Sequence, residues 1–147
     1  MDDIDSKIIK LLSKNSRMSA SDISKQLHMS VPAIIDRIRK LENEKVITKY
    51  SLQVNYSKFG RNIVAYISVG FESSKLDPDI REYLEENDEI VECSFVTGDY
   101  DYLLKVITKD PESLTNLIHT LKSYKKVSKT RTVVVLENIK DGTNPIF

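Results

Sequence analysis

The stretch SASDISKQLHMSVPAIIDRIRKL, Ser19 to Leu41, leaves the chain few ways to fold. Ser19 is a good helix N-cap, with Asp22 three residues on, the spacing of a capping box with Asp in place of Glu or Gln. Ile23 and Leu27 stand four apart, on one helical face. His28-Met29 then interrupt, and Ser30 offers a second N-cap. Pro32 falls in the first turn of the next helix, where its missing N–H costs nothing. Two short helices joined by a tight turn are the layout of a helix-turn-helix, whose second helix enters the DNA major groove.

That second helix divides its faces. At about 100° per residue, Ile34, Ile38 and Leu41 point one way, with Val31 beside them. Pro32, Ala33, Asp36, Arg39 and Lys40 point the other way, and Arg37 sits at the edge. Pro32 and Ala33 are small enough to let the helix approach base edges. Arg37, Arg39 and Lys40 can reach phosphates, and an arginine can also reach a guanine edge. Ser30 is placed to touch a phosphate through its hydroxyl or the helix N-terminus. Asp36 repels phosphate, but it can accept from cytosine N4 or orient an arginine. An ordinary amphipathic helix with a solvated charged face shows the same division. The two caps, the short turn and the small-residue start together favour the DNA-reading helix.

Net charge is zero, which looks wrong for a partner of DNA. The halves disagree, however. Residues 1–60 hold eleven Lys and Arg against seven Asp and Glu, a net of +4, and residues 61–147 hold eleven against fifteen, a net of −4. Such asymmetry suggests a nucleic-acid-binding half and an acidic half with another task. The 147 residues suffice for one domain or two small ones. The start, MDDIDSKIIK, is acidic and has no signal-peptide apolar core, so the expected compartment is the cytoplasm. The one cysteine, Cys93, excludes an internal disulfide and a cysteine zinc cluster; inside a predicted strand, it is expected to be buried.

Ahead of the helix pair, residues 3–12 read as a helix with Ile4, Ile8, Leu11 and Leu12 at helical spacing. Asp2, Asp3 and Asp5 crowd its N-terminus, which suits the helix dipole. Beyond the pair, residues 46–54 loosely alternate, predicting either a small wing or an extended linker. Asn55 to Gly60 mark the boundary, giving a helix-turn-helix domain over 1–60 and a second domain over 61–147.

The second half alternates strand and helix signals. Residues 63–71 are rich in β-branched and aromatic residues, a strand. Asp77-Pro78 opens a helix to about Glu86, buried along Ile80 and Leu84. Strands follow over 90–96 and 100–108, joined by Thr97-Gly98-Asp99 as a hairpin. Asp110-Pro111-Glu112 starts a helix with Asp as N-cap and Pro behind it. Leu114, Leu117, Ile118 and Leu121 form its buried stripe, and a last strand spans 127–137. The order is βαββαβ, the split ferredoxin-like arrangement. Residues 138–147 are expected to be a frayed tail. The fold class is therefore α+β, in two domains: a three-helix, winged helix-turn-helix head and a ferredoxin-like second half.

A three-helix head before a βαββαβ domain resembles the Lrp/AsnC or "feast/famine" family of prokaryotic transcription regulators. The resemblance runs through Ile4-Asp5-Ser6-Lys7-Ile8-Ile9, Arg17-Met18-Ser19, Asp22-Ile23-Ser24, Arg37-Ile38-Arg39-Lys40-Leu41-Glu42, Val46-Ile47 and Tyr50. In the second half it rests on Thr97-Gly98-Asp99-Tyr100-Asp101-Tyr102-Leu103-Leu104-Lys105-Val106. One departure is Lys45, where the family usually has glycine; a positive φ there would cost a lysine about 1 kcal/mol.

The resemblance implies a sequence-specific DNA-binding regulator that dimerises by pairing the sheets of its second domains (the RAM domain of the family) and often assembles to tetramers or octamers. It also implies an amino acid or related metabolite as effector, bound where second domains meet and lined by the Gly98-Asp99 turn. The residues are compatible: Gly98 can take positive φ and open backbone amides to a carboxylate, and Asp99 or Asp101 can accept an ammonium group. Thr97, Gly98, Asp99, Tyr100 and Asp101 are thus the expected effector residues. A plain hairpin turn accounts for them as well.

Enzymatic readings find little support. His28 and His119 lack partners at metal spacing, and no G-x-S-x-G or P-loop pattern appears. The acidic run from Asp77 to Glu92 reads as a solvated helix face. The expectation is a regulator without enzymatic activity, cofactor or metal, whose partners are double-stranded DNA and its own copies. The alternative is a ligand-sensing βαββαβ module whose first domain contacts protein instead of DNA.

Overall fold

The computed structural model describes residues 1–72 and 77–140. The chain forms two compact units, one built on Met1–Gln53 and the other on Val54–Asn138. They part a few residues before the Asn55–Gly60 boundary read from the sequence. The tail's apolar end, Asn144-Pro145-Ile146-Phe147, lies outside the described residues.

The first unit has helices α1 (Asp3–Lys14), α2 (Ala20–Leu27) and α3 (Val31–Asn43). Their caps are those the sequence requires. Ser19 Oγ accepts the Asp22 N–H at 3.1 Å and donates to the Asp22 carboxylate at 2.6 Å. Ser30 Oγ accepts the Ala33 N–H at 3.4 Å. The reciprocal capping box forms instead at α1, where Asp2 accepts the Asp5 N–H at 2.8 Å and Asp5 accepts the Asp2 N–H at 3.0 Å. The core is small: Ile8, Leu12, Ile23, Ile34 and Leu41, with Ile4, Met18, Leu27 and Ile38 packed around them.

Both helices of the pair end in left-handed backbone without glycine. His28 has φ 54° and Lys45 has φ 55°. After α3 the Lys45 N–H donates to Glu42 O and the Val46 N–H to Leu41 O, a Schellman closure. The departure at Lys45 therefore keeps the turn that glycine would make. Between residues 46 and 54 no strand forms, so the segment is an extended linker and not a wing. Its alternation is too loose, and the described residues of its unit offer no partner strand. Tyr50 anchors the linker by donating its hydroxyl to Glu42 Oε1 at 2.9 Å. Burial, and then the bond to the carboxylate, push its phenol up to about 12.

The second unit holds β1 (Ile63–Phe71), α4 (Pro78–Glu86), β2 (Ile90–Phe95), β3 (Tyr102–Thr108), α5 (Pro111–Ser123) and β4 (Val127–Val134). A 3-10 turn, Tyr56–Phe59, precedes them. The sheet order is β2-β3-β1-β4, all antiparallel, as the split βαββαβ pattern predicts. Ala65, Ile67, Val69, Leu104 and Val106 form one sheet face and bury Ile80 and Leu84 of α4 and Leu114, Leu117 and Leu121 of α5. The opposite face carries Tyr66, Leu103 and Val133, each more than a third exposed. Cys93 is exposed, contrary to expectation, because β2 is an edge strand with a neighbour on one side only. Burial still raises its thiol pKa, so the cysteine is not activated.

Candidate nucleic-acid interface and ligand turn

Each candidate on α3 can now be placed. Pro32, Asp36, Arg39 and Lys40 are exposed, Ala33 is half-buried, and Ser30 caps the helix with its hydroxyl. Pro32, Asp36 and Arg39 follow one another at helical spacing and share a face. Arg39 stands 3.9 Å from Asp36 and Lys40 3.9 Å from Glu44, with all four side chains more than half exposed. Exposed pairs at that distance are loose, leaving both cations available to phosphate. Ile35 joins the same face at 41% exposure. Sequence reasoning missed it, although its position out of phase with Ile34, Ile38 and Leu41 was a usable signal. An exposed isoleucine at the start of such a helix offers a surface for a thymine methyl.

Arg37 does something else. Its guanidinium donates to Asp5 Oδ1 at 2.6 Å and to Asp2 Oδ2 at 2.7 Å. The Asp5 side chain is 4% exposed and the Arg37 side chain 28%. The capping box of α1 thus doubles as a socket for an arginine of α3, locking the first helix to the third. For Asp5, burial pushes the pKa up, but the bonds from the Asp2 amide and from Arg37 outweigh it and the net shift is downward. Asp2 is lowered first by the Asp5 amide and then by Arg37. Arg37 is raised, chiefly by its bonds to Asp2 and Asp5. An arginine held by two carboxylates through one of its nitrogens braces α3 against α1. The edge position read from the sequence was its only sign, since the partners lie more than thirty residues away.

The turn inside the helix pair is closed by Ser24. Its carbonyl accepts the Met29 N–H at 3.1 Å, and its hydroxyl donates to Met29 O at 2.6 Å. His28 serves here as a turn residue.

In the second unit residues 96–101 join β2 to β3. Gly98 has φ 121°, which only glycine takes without strain. Thr97, Gly98 and Asp99 are exposed, and Tyr100 and Asp101 are half-buried. Among the described residues, the N–H groups of residues 97 to 100 donate to no partner. The two aspartates part company. Asp101 Oδ2 accepts the Phe71 N–H at 2.7 Å, its N–H donates to Val69 O, and its carbonyl accepts the Val96 N–H. It pins the turn to the end of β1. Among the described residues the Asp99 carboxylate has no hydrogen-bond or ion-pair partner. Of the two candidate ammonium acceptors, Asp101 has one carboxylate oxygen engaged in the fold and Asp99 has neither.

Among the described residues, no cluster of His, Cys, Asp and Glu could hold a metal ion, and no helix is long and apolar enough to cross a membrane.

Comparison with known proteins covers nearly the whole chain. Residues 1–42 match the model of the AsnC-type helix-turn-helix domain, and residues 64–145 match that of the Lrp/AsnC ligand binding domain. The HTH-type transcriptional regulator FL11 of Pyrococcus furiosus is 36% identical over 143 residues, 97% of this chain and 94% of that protein. The regulator LrpB of Bacillus subtilis is 34% identical over 84% of this chain and 83% of its own. Among solved structures, AsnC of E. coli superposes with a TM-score of 0.85 at 27% identity, covering 96% of this chain and 95% of that one. A feast or famine regulatory protein from M. tuberculosis, complexed with L-methionine, gives 0.86 at 26% identity, covering 96% and 95%.

Proposed function

Because the chain belongs to the Lrp/AsnC family of helix-turn-helix, DNA-binding transcription regulators, we propose which of its residues read DNA and which receive an effector. Pro32, Ala33, Ile35 and Asp36 meet base edges in the major groove. Ser30, Arg39 and Lys40 hold the flanking phosphates. Arg37 sets the attitude of α3 from behind. The observation that carries this reading is the division of α3: one exposed face bearing Ile35, Asp36, Arg39 and Lys40, and an opposite face consumed by the core and the Asp2–Asp5 socket.

Two copies act together, pairing through the open sheet face that carries Tyr66, Leu103 and Val133. A two-fold pair of recognition helices then reads half-sites spaced by whole helical turns. Assembly into tetramers or octamers follows the family habit. The effector is an amino acid or a related metabolite, as the L-methionine held by the M. tuberculosis relative supports. It is received at the Thr97–Asp101 turn, where exposed amides face an α-carboxylate and Asp99 an α-ammonium. The protein regulates transcription in the cytoplasm and catalyses no reaction.

A salt-titrated gel shift on DNA upstream of the protein's own gene tests both halves, run with and without a pool of the twenty amino acids. Tight binding altered by the pool supports the full reading. Tight binding indifferent to the pool removes the effector. No binding there, nor to random fragments at low salt, overturns the assignment of α3.

A further inference from the structure

Lys129 of β4 occupies an unusual place beside the ligand turn. Its stem lies across Gly70 of β1: a Cβ on Gly70 would stand 2.9 Å from Lys129 Cγ and 3.0 Å from its Cε. The absent side chain therefore makes the bed in which the lysine lies. At the end of that path, Nζ sits 4.7 Å from the centre of the Tyr100 ring. Tyr100 is itself part of the turn. Lys105 of β3 stands 3.5 Å from Glu92, and Lys126, just ahead of β4, stands 2.8 Å from Asp77. Among the described residues Lys129 has no carboxylate partner. A ring face stabilises a cation only modestly and leaves its ammonium donors open. The molecule thus holds an unpaired, positioned positive charge against the turn, one strand away from the segment that carries the other recognition groups.

We infer that Lys129 selects the effector, and that the turn takes an amino acid with an anionic side chain. This inference rests on the effector reading of the Thr97–Asp101 turn proposed above. The division of labour follows from the groups present. The free amides of residues 97 to 100 suit the α-carboxylate, and Asp99 suits the α-ammonium. These two groups are common to every amino acid, so neither discriminates. Asp101 is taken up by the Phe71 amide, so Lys129 is the cation set against the turn, and a charged donor fixed in place rewards a side-chain carboxylate and repels an ammonium. The Gly70 bed and the Tyr100 ring hold the lysine in position before the ligand arrives, which lowers the entropy lost on binding.

The test is calorimetric titration of the full-length protein with matched pairs: L-glutamate against L-glutamine, L-aspartate against L-asparagine, and L-lysine beside them. Each acid differs from its amide chiefly in charge. The expected result is a preference for the acids of about tenfold or more. Lys129→Gln should abolish that preference, and Lys129→Glu should turn it toward L-lysine. Gly70→Ala keeps the charge but lifts the stem from its bed, and should erode the preference while sparing the weaker binding of the amides. Equal binding of acids and amides, or a Lys129→Gln variant that weakens every amino acid alike, would overturn the inference while leaving the effector site standing. Heat with no amino acid at all, methionine and leucine included, would remove the effector reading itself and this inference with it.

Discussion

The two units solve the problem of a small core differently. Among the described residues, the second closes a four-stranded sheet over two helices and buries ten apolar residues in one cluster. The first has five, from three short helices, and adds an ionic clamp from α1 to α3. Small domains bury a smaller share of their surface and stand nearer the stability threshold. A structural arginine on the recognition helix makes sense in that setting, because it supplies orientation that five side chains give only weakly. The lesson concerns charge: a basic residue on a recognition helix is not by that fact a DNA contact.

The sharpest way to break the comparison is to remove a core side chain from each unit. Ile23→Ala should cost about 3 kcal/mol, as should Leu104→Ala. The first should unfold its unit while the second keeps a cooperative transition, because five side chains leave less reserve than ten. Denaturant melts with probes in each unit would show this. Two transitions moving together under both substitutions would instead make the units one cooperative body.

The clamp gives the next effect, through pH. Asp2 and Asp5 both have lowered pKa values in the folded protein. The stability they supply is therefore complete above the unfolded aspartate range, near pH 4, and drains as pH falls through the lower folded values. The first unit should lose stability on acidification to about pH 3 more steeply than the second. Arg37→Met should lower its midpoint at pH 7 and flatten that acid limb, because Asp5 then sits buried without its partner. Arg39→Ala should leave the melt unchanged and weaken DNA binding. If Arg37→Met left the melt unchanged and cut only DNA affinity, Arg37 would return to the interface.

In the second unit, Asp101→Ala should cost about 1–2 kcal/mol by orphaning the Phe71 amide, and Asp99→Ala should cost nothing. Equal effects would dissolve the distinction between an anchoring and a receiving aspartate. Lys45→Gly should gain about 1 kcal/mol in the first unit by relieving the left-handed lysine, seen as a raised midpoint. Last, Lys40→Ala should reduce the slope of log affinity against log salt by about one unit. An unchanged slope would take Lys40 off the phosphates.

Most of this architecture was legible in the chain. The caps at Ser19, Ser30 and Asp110, the stripe Ile34-Ile38-Leu41 and the strand signals around Thr97-Gly98-Asp99 all lie within a few residues of what they govern. Helix periodicity, capping and hairpin turns are local, so local sequence specifies them. The tertiary structure decided what depends on distant partners. Arg37 turned to Asp2 and Asp5 across more than thirty residues, and Asp101 turned to the Phe71 amide across thirty. Cys93 came out exposed because its strand fell at the sheet edge, and the residues after α3 stayed a linker for want of a strand to pair with. Lys129 met Tyr100 only because β4 lies beside β1, with a glycine at the crossing. A side chain's chemistry is written at its own position, but its partner is chosen by the packing of the whole, and it is the partner that separates a contact for DNA from a brace within the protein.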